Sequence, residues 1–231
     1  MRPGRGGTAF AALLLAAGGL LSGCSADSAV DPQQLLSDAQ QTLASTESVH
    51  VLLSAEDLPE NTPVLQSADG VAAPPDKFEG EVRLAQGGLA TTVPVISVGG
   101  TVYAQLPFTS TYTAVDPDDV GATDPAALVD AEQGLASLLT QGSDVASTGQ
   151  VRIGDTVLEE ITATLDAATV AELVPVADSA GSVSARYAVD AESAQLRRAE
   201  LTGPFYPGGD STYIVELDRY GEPVDIRAPS G

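Results

Sequence analysis

The stretch Leu21-Ser22-Gly23-Cys24 constrains this chain more than any other. It holds the only cysteine and closes an apolar run. Arg2 and Arg5 come first, and Thr8 to Leu21 then carry no charge and are dominated by Ala and Leu. A positive start followed by a short apolar segment is the pattern of an export signal. The run is about 14 residues, short of the roughly 20 that a spanning helix needs.

Leu-Ser-Gly-Cys resembles the lipobox of bacterial lipoproteins, in which the cysteine sulfur takes a diacylglyceryl group and the signal is cut just before it. That resemblance makes residues 1–23 a signal peptide, Cys24 the lipid-bearing residue, residues 24–30 a small polar tether, and residues 31–231 the folded domain. Each buried methylene adds about 0.8 kcal/mol of membrane affinity, and two or more chains give stable anchoring. The alternative is an ordinary export signal with an incidental cysteine. It would leave a free thiol in an exported protein, which acylation removes.

Composition narrows the function classes. Net charge is −22, with 32 acidic against 10 basic residues and a single lysine, Lys77. Such a chain repels nucleic acid, which is bound by Lys and Arg against phosphate. The same charge holds it off anionic membrane surfaces except at its anchor. The length suits one domain or two small ones. There is no tryptophan, so the core is built mainly from Val, Leu, Ala and Ile.

Along the chain, Asp31-Pro32 reads as a helix N-cap followed by proline at the first helical position. The helix runs to about Thr46, with Leu35, Leu36, Ala39 and Leu43 on one face. Val49 to Leu53 reads as a strand. Asp57 to Asp76 is rich in Pro, Ala and Asp, and is either mobile or holds a short edge strand near Thr62 to Gln66. Phe78 to Leu84 alternates, with Phe78, Val82 and Leu84 on one face. A turn at Gln86-Gly87-Gly88 leads to a strand over Leu89–Val98. Gly99-Gly100 makes a tight hairpin, Thr101 to Leu106 is the next strand, and Tyr112 to Val115 extends the meander.

Asp124-Pro125 repeats the helix start, and the spacing of Leu128, Leu135, Leu138 and Leu139 predicts a helix to about Thr140. Strands follow at Asp144–Gly149, Val151–Ile153 and Val157–Leu165, with a turn at Gly154-Asp155. Asp166 is expected to cap a short helix holding Val170, Leu173 and Val174 and ended by Pro175. Ser182–Val189, Gln195–Thr202 and Ser211–Leu217 are strands, with a Pro/Gly loop at Pro204–Asp210 and a last short strand at Val224–Ile226. No internal repeat is present. The tally of nine or ten strands and three helices gives an α+β fold: one curved antiparallel sheet with helices on one face.

The order of these elements resembles the LppX/LprA/LprF/LprG lipoproteins of actinobacteria, and the LprG members most. The resemblance rests on the acylated Cys24, the helix starting Asp31-Pro32, the Val49-His50-Val51 strand and the hairpin Val93-Pro94-Val95-Ile96-Ser97-Val98-Gly99-Gly100-Thr101-Val102-Tyr103-Ala104. It continues through Tyr112…Asp116-Pro117 and the segment from Asp124-Pro125 to Leu139. It implies a half-barrel sheet wrapped around helices, enclosing an apolar cavity that takes multi-acyl lipids such as triacylglycerol or acylated glycolipids. It also implies transfer of those lipids across the cell envelope and, as a partner, a major-facilitator transporter. It carries no catalytic motif and no cofactor, so Cys24 is the residue it assigns.

Catalytic readings find little support. His50, the only histidine, lies in a strand and reads as a satisfied structural residue. There is no Gly-x-Ser-x-Gly elbow and no His-Glu-x-x-His. Asp116-Pro117-Asp118-Asp119 lacks the spacing of a calcium loop. Glu159-Glu160 lies on a strand, so the two carboxylates point to opposite faces.

The remaining feature is surplus apolar area. The strands offer Val51, Leu53, Phe78, Val82, Leu84, Val93, Val95, Val102 and Ala104 as inward residues, and the helices add Leu128, Leu135, Leu138, Leu139, Val170 and Leu173. A filled core and a lipid cavity both use such faces. Aromatic residues are only 4% of the chain, which leaves few bulky groups to fill a strongly curved sheet. Small aliphatic walls suit acyl chains, which need dispersion contacts and no hydrogen bonds. Head groups are expected at loops such as Thr109-Ser110-Thr111 or Phe205–Gly209. A docking module with a filled core is the alternative.

Overall fold

A computed structural model describes residues 30–60, 64–86, 88–117, 123–174 and 176–229. The expected signal peptide, Cys24 and nearly all of the tether lie outside these residues.

Helix α1 spans Pro32–Ser45. The Asp31 carboxylate accepts hydrogen bonds from the Gln33 and Gln34 amides at 2.9 and 3.2 Å, satisfying the donors that a first turn leaves open. Leu35, Leu36, Ala39 and Leu43 form its buried face, as their spacing predicts.

Among the described residues eleven strands follow: β1 Val49–Glu56, β2 Val64–Ala73, β3 Lys77–Gln86, β4 Leu89–Val98, β5 Thr101–Ala104, β6 Thr113–Val115, β7 Ser143–Ile153, β8 Thr156–Asp166, β9 Ser182–Val189, β10 Leu196–Tyr206 and β11 Gly209–Asp218. All pair antiparallel in one sheet ordered β6-β5-β4-β3-β2-β1-β11-β10-β9-β8-β7. The sheet is curved and unclosed, because its edges β6 and β7 do not pair. It is two meanders joined where β1 meets β11, with Val51 opposite Leu217.

This order fixes where the helices go. β6 and β7 are consecutive strands yet lie at opposite edges, and the described part of their connection lies on the concave side, where Ala126, Val129, Leu135 and Leu138 join the core. That connection holds a 3-10 helix, Pro125–Val129, and the one-turn helix α2, Leu135–Leu138. A third short helix, α3 at Ala167–Val170, joins β8 to β9.

Several expectations are corrected. Asp57–Asp76 does not hold a short edge strand. It supplies β2, ten residues long and interior to the sheet, paired to β1 and β3. Its small side chains hide a strand because the pairing relies on close backbone approach. Gly70 faces Gly80 across the ladder, and a Cβ on either would lie within 3.0 Å of the Phe78 ring.

The helix predicted over Asp124–Thr140 is broken. Asp124 caps the 3-10 helix through the Ala126 amide, and the Asp130 carboxylate then accepts from the Glu132 and Gln133 amides, starting a new turn. Gly134 sits where a Cβ would meet the carbonyl oxygens of Asp130, Leu128 and Ala127 at 2.4–2.7 Å. In consequence Ala126 and Val129 are buried, and Leu128 is only partly so.

Asp144–Gly149 and Val151–Ile153 merge into the single strand β7, which bulges between Ser143 and Ala146 and between Ser147 and Gly149. Asp166 precedes α3 without a side-chain cap, α3 is a single turn, and Pro175 lies outside the described residues. Pro204 and Phe205 belong to β10, not to a loop. A register shift between Gly203 and Tyr206 accommodates the proline. Val224–Ile226 pairs with no strand. The tail is held instead by Ser48, whose carbonyl accepts from the Gly221 amide and whose hydroxyl donates to the Glu222 carbonyl.

Candidate functional site

The concave face is built by alternation. On β1, Val49, Val51 and Leu53 point in while His50, Leu52 and Ser54 point out. β3 brings in Phe78 and Val82, with Leu84 partly covered, and β4 brings in Val93, Val95 and Ser97. β5 adds Val102 and Ala104. From the other side come Leu135, Leu138, Leu139, Val170 and Leu173. Thus all the strand and helix residues singled out in the sequence lie in, or against, one apolar cluster; Leu84 and Leu128 are the two at its margin. The sequence reading missed Ala68 on β2, Tyr187 on β9, and Tyr213 and Val215 on β11. Alternation within β9 and β11 was the signal that marked their inward faces.

The two halves of this face are covered differently. α1 packs against α2, β7 and β9, and α3 against β8 and β9. Leu165, Val183, Tyr187, Val189, Leu196 and Ala199 under them are fully buried. Among the described helices, the one that packs most closely on β2, β3 and β4 is the 3-10 helix. On β1 to β5, Leu53, Ala68, Val82, Val93, Val95, Val102 and Ala104 keep 6–9% exposure, while Val51, Ala72, Phe78 and Ser97 are sealed. Along β4 the exposure is graded. Leu89 to Thr92 are open to solvent, Val93 and Val95 nearly closed, and Ser97 sealed. The Ser97 hydroxyl has no hydrogen-bond partner, which leaves a lone polar atom in an aliphatic wall.

Two recesses, of about 420 and 440 Å³, lie away from this wall. One is lined by Thr162, Thr164, Ser184, Arg186 and Thr202 among others on the outward face of β8–β10. The other sits among Gln150, Thr156, Glu159, Asp190 and Glu192. Both are polar, whereas the nominated apolar residues are packed together beneath the helices.

The outward face carries the polar chemistry. His50 lies between two carboxylates, with Nδ1 2.7 Å from Asp218 and Nε2 2.8 Å from Asp69, so it ties β1 to both its neighbours. Partial burial pushes the Asp218 carboxyl up, but hydrogen bonds and charge from His50 and Arg219 outweigh it and hold the group below its ordinary value. Burial pushes the phenols of Tyr187, Tyr213 and Tyr220 well above theirs. Phe205, expected near a head group, is instead buried edge-on against Tyr213 at 5.0 Å. Among the described residues no group of three or more His, Cys, Asp or Glu is placed to hold a metal ion.

The chain is thus a single curved, unclosed antiparallel sheet whose concave side is aliphatic and carries short helices. Its particular kind is settled by comparison: the chain belongs to the LppX_LprAFG lipoprotein family, whose model matches residues 31–226. It is 28% identical to a protein named lipoarabinomannan carrier protein LprG from Mycolicibacterium hassiacum, over 96% of this chain and 97% of that one. It is 26% identical to the protein of the same name from Mycolicibacterium smegmatis, over 95% and 94%. The fold is also that of LprF from Mycobacterium bovis, with a TM-score of 0.72 at 20% identity, covering 87% of this chain and 97% of that one. LppX from Mycobacterium tuberculosis gives 0.57 at 21% identity, covering 86% and 100%.

Proposed function

We propose that this chain is a lipoprotein anchored to the outer face of the cell membrane through acylated Cys24. It binds multi-acyl lipids, triacylglycerol or acylated glycolipids, against its concave wall and carries them across the envelope. The observation that carries this reading is the cover of that wall: β2, β3 and β4 are packed by the five-residue 3-10 helix, and Ala68, Val82, Val93 and Val95 beneath it keep 7–9% exposure. The name of the LprG relatives, lipoarabinomannan carrier protein, supports an acylated glycolipid as cargo.

The mechanism is exchange without bond making. A methylene leaving a bilayer for this wall trades one apolar environment for another, so transfer is near neutral. The costs are opening the cover and ordering the acyl chains. The 3-10 helix has five residues and packs on β2, β3 and β4, so in this reading it is the element that lifts. Ligand then selects the lifted conformation by its better fit to it. Ser97 offers the wall one hydrogen bond for an ester or hydroxyl oxygen. A major-facilitator transporter is the partner that would take or supply the cargo.

A second reading, a docking module with a filled core, is favoured by the close packing of the nominated wall residues and by the polar lining of both recesses. Native mass spectrometry of protein purified from its own host separates the two. Co-purified lipid with several acyl chains is the expected result, and a bare polypeptide mass would leave the docking reading.

A further inference from the structure

From Leu84 to Val115 the chain contains no Asp, Glu, Lys or Arg. With 18% of residues charged overall, a run of that length would carry about six. The fold gathers this run at one margin of the sheet, as the end of β3, all of β4, β5 and β6, and the loop between the last two.

The same margin carries exposed apolar side chains at one end. β5 stops with Ala104 opposite Val95, and the Gln105 amide donates to the Pro94 carbonyl. The chain beyond Gln105 therefore heads toward the end where the β3–β4 turn lies. Leu89, at that turn, is 75% exposed; Leu106 is 44% exposed and Phe108 fully so. Phe108 has a φ of +68°, a conformation rare for an aromatic residue. It is held there by its neighbours: the Thr109 amide and hydroxyl both donate to the Leu106 carbonyl, and the Gln105 side chain donates to the Thr109 carbonyl. The loop is thus built to present a phenyl ring to the surroundings. This is also the end at which the β4 wall opens, through Leu89 to Thr92.

We infer that this uncharged margin is a membrane-docking edge, with Phe108, Leu106 and Leu89 entering the bilayer so that acyl chains pass between leaflet and wall without crossing water. The partner is a lipid bilayer surface. A chain of net charge −22 is repelled by anionic head groups over the rest of its surface, and this margin is where that repulsion is absent. The inference rests on the carrier reading, since docking serves the transfer of lipid.

The test uses the full chain carrying Cys24→Ala, which removes the covalent anchor. The protein has no tryptophan, so Phe108→Trp introduces a single reporter, and Leu52→Trp on the outward face of β1 is its control. With phosphatidylcholine–phosphatidylglycerol vesicles, the reporter at 108 is expected to shift to the blue and to be quenched by brominated acyl chains, while that at 52 does neither. An unquenched reporter at 108 overturns the inference, including the case in which the edge binds a protein instead. Phe108→Asp should slow transfer of a pyrene-labelled diacyl lipid between vesicles about tenfold to a hundredfold, the span set by burying one phenyl ring. Its loading with the same lipid from detergent should be unchanged, and an unaltered transfer rate overturns the inference. If wild-type protein loads no lipid, the carrier reading falls, and the quenching result still decides the docking.

Discussion

Val95→Trp tests the lipid wall most directly. Val95 is on β4 at the middle of the thinly covered half. Its cross-strand neighbours are small: Gly80 on β3 and Ala104 on β5. The Phe78 ring lies over Gly80, so an acyl chain on this row would also meet that ring. A tryptophan side chain has about seven more heavy atoms than a valine one and would displace about three methylenes, worth about 2.4 kcal/mol at roughly 0.8 kcal/mol each. That corresponds to a loss of affinity of roughly 60-fold. If the space over Val95 is instead filled by the protein, the extra atoms overpack it at a cost of about 1–3 kcal/mol. At about 2–4 °C per kcal/mol for a chain of this size, the melting temperature would fall by several degrees. The assay pairs the lipid-loaded fraction in native mass spectrometry with thermal unfolding of delipidated protein. The expected result is lost loading with little change in melting. Unchanged loading with a lowered melting temperature would refute the placement of lipid against this row.

Gly134→Ala should destabilise the fold by about 1–3 kcal/mol in urea unfolding, because its Cβ meets three backbone carbonyls; a loss under about 0.5 kcal/mol would show that the connection relaxes freely. Asp218 has a folded pKa below its ordinary value of 3.8. Its stabilising contribution is therefore full above that value and lost as pH falls through the folded pKa. The difference in melting temperature between wild type and Asp218→Asn should thus be present at neutral pH and shrink below about pH 4; a difference that holds constant into acid would mean that the His50 clamp does not act through charge.

Much of the fold was legible from local pattern. β4 and its Gly99-Gly100 turn were read to the residue, because both glycines take positive φ and the inward residues alternate. α1 was read from its cap and its leucine spacing. β2 was not, since its pairing depends on two facing glycines and a phenyl ring that are distant in sequence. The break at Asp130 was missed for a related reason. Leucine periodicity continued through the segment, while the clash that excludes a continuous helix lies between Gly134 and carbonyls visible only in three dimensions.

The sequence by itself determined the inward residues of β1, β3, β4 and β5, the net charge and the uncharged run from Leu84 to Val115, because these follow from side-chain type and a period of two. Only the tertiary structure decided that β6 and β7 end at opposite edges and that the helices between them lie on the concave side. From that placement follows the cover of β2–β4 by the 3-10 helix. Which half of a sheet is covered depends on strand order, and strand order is a property of long-range pairing that no local window contains.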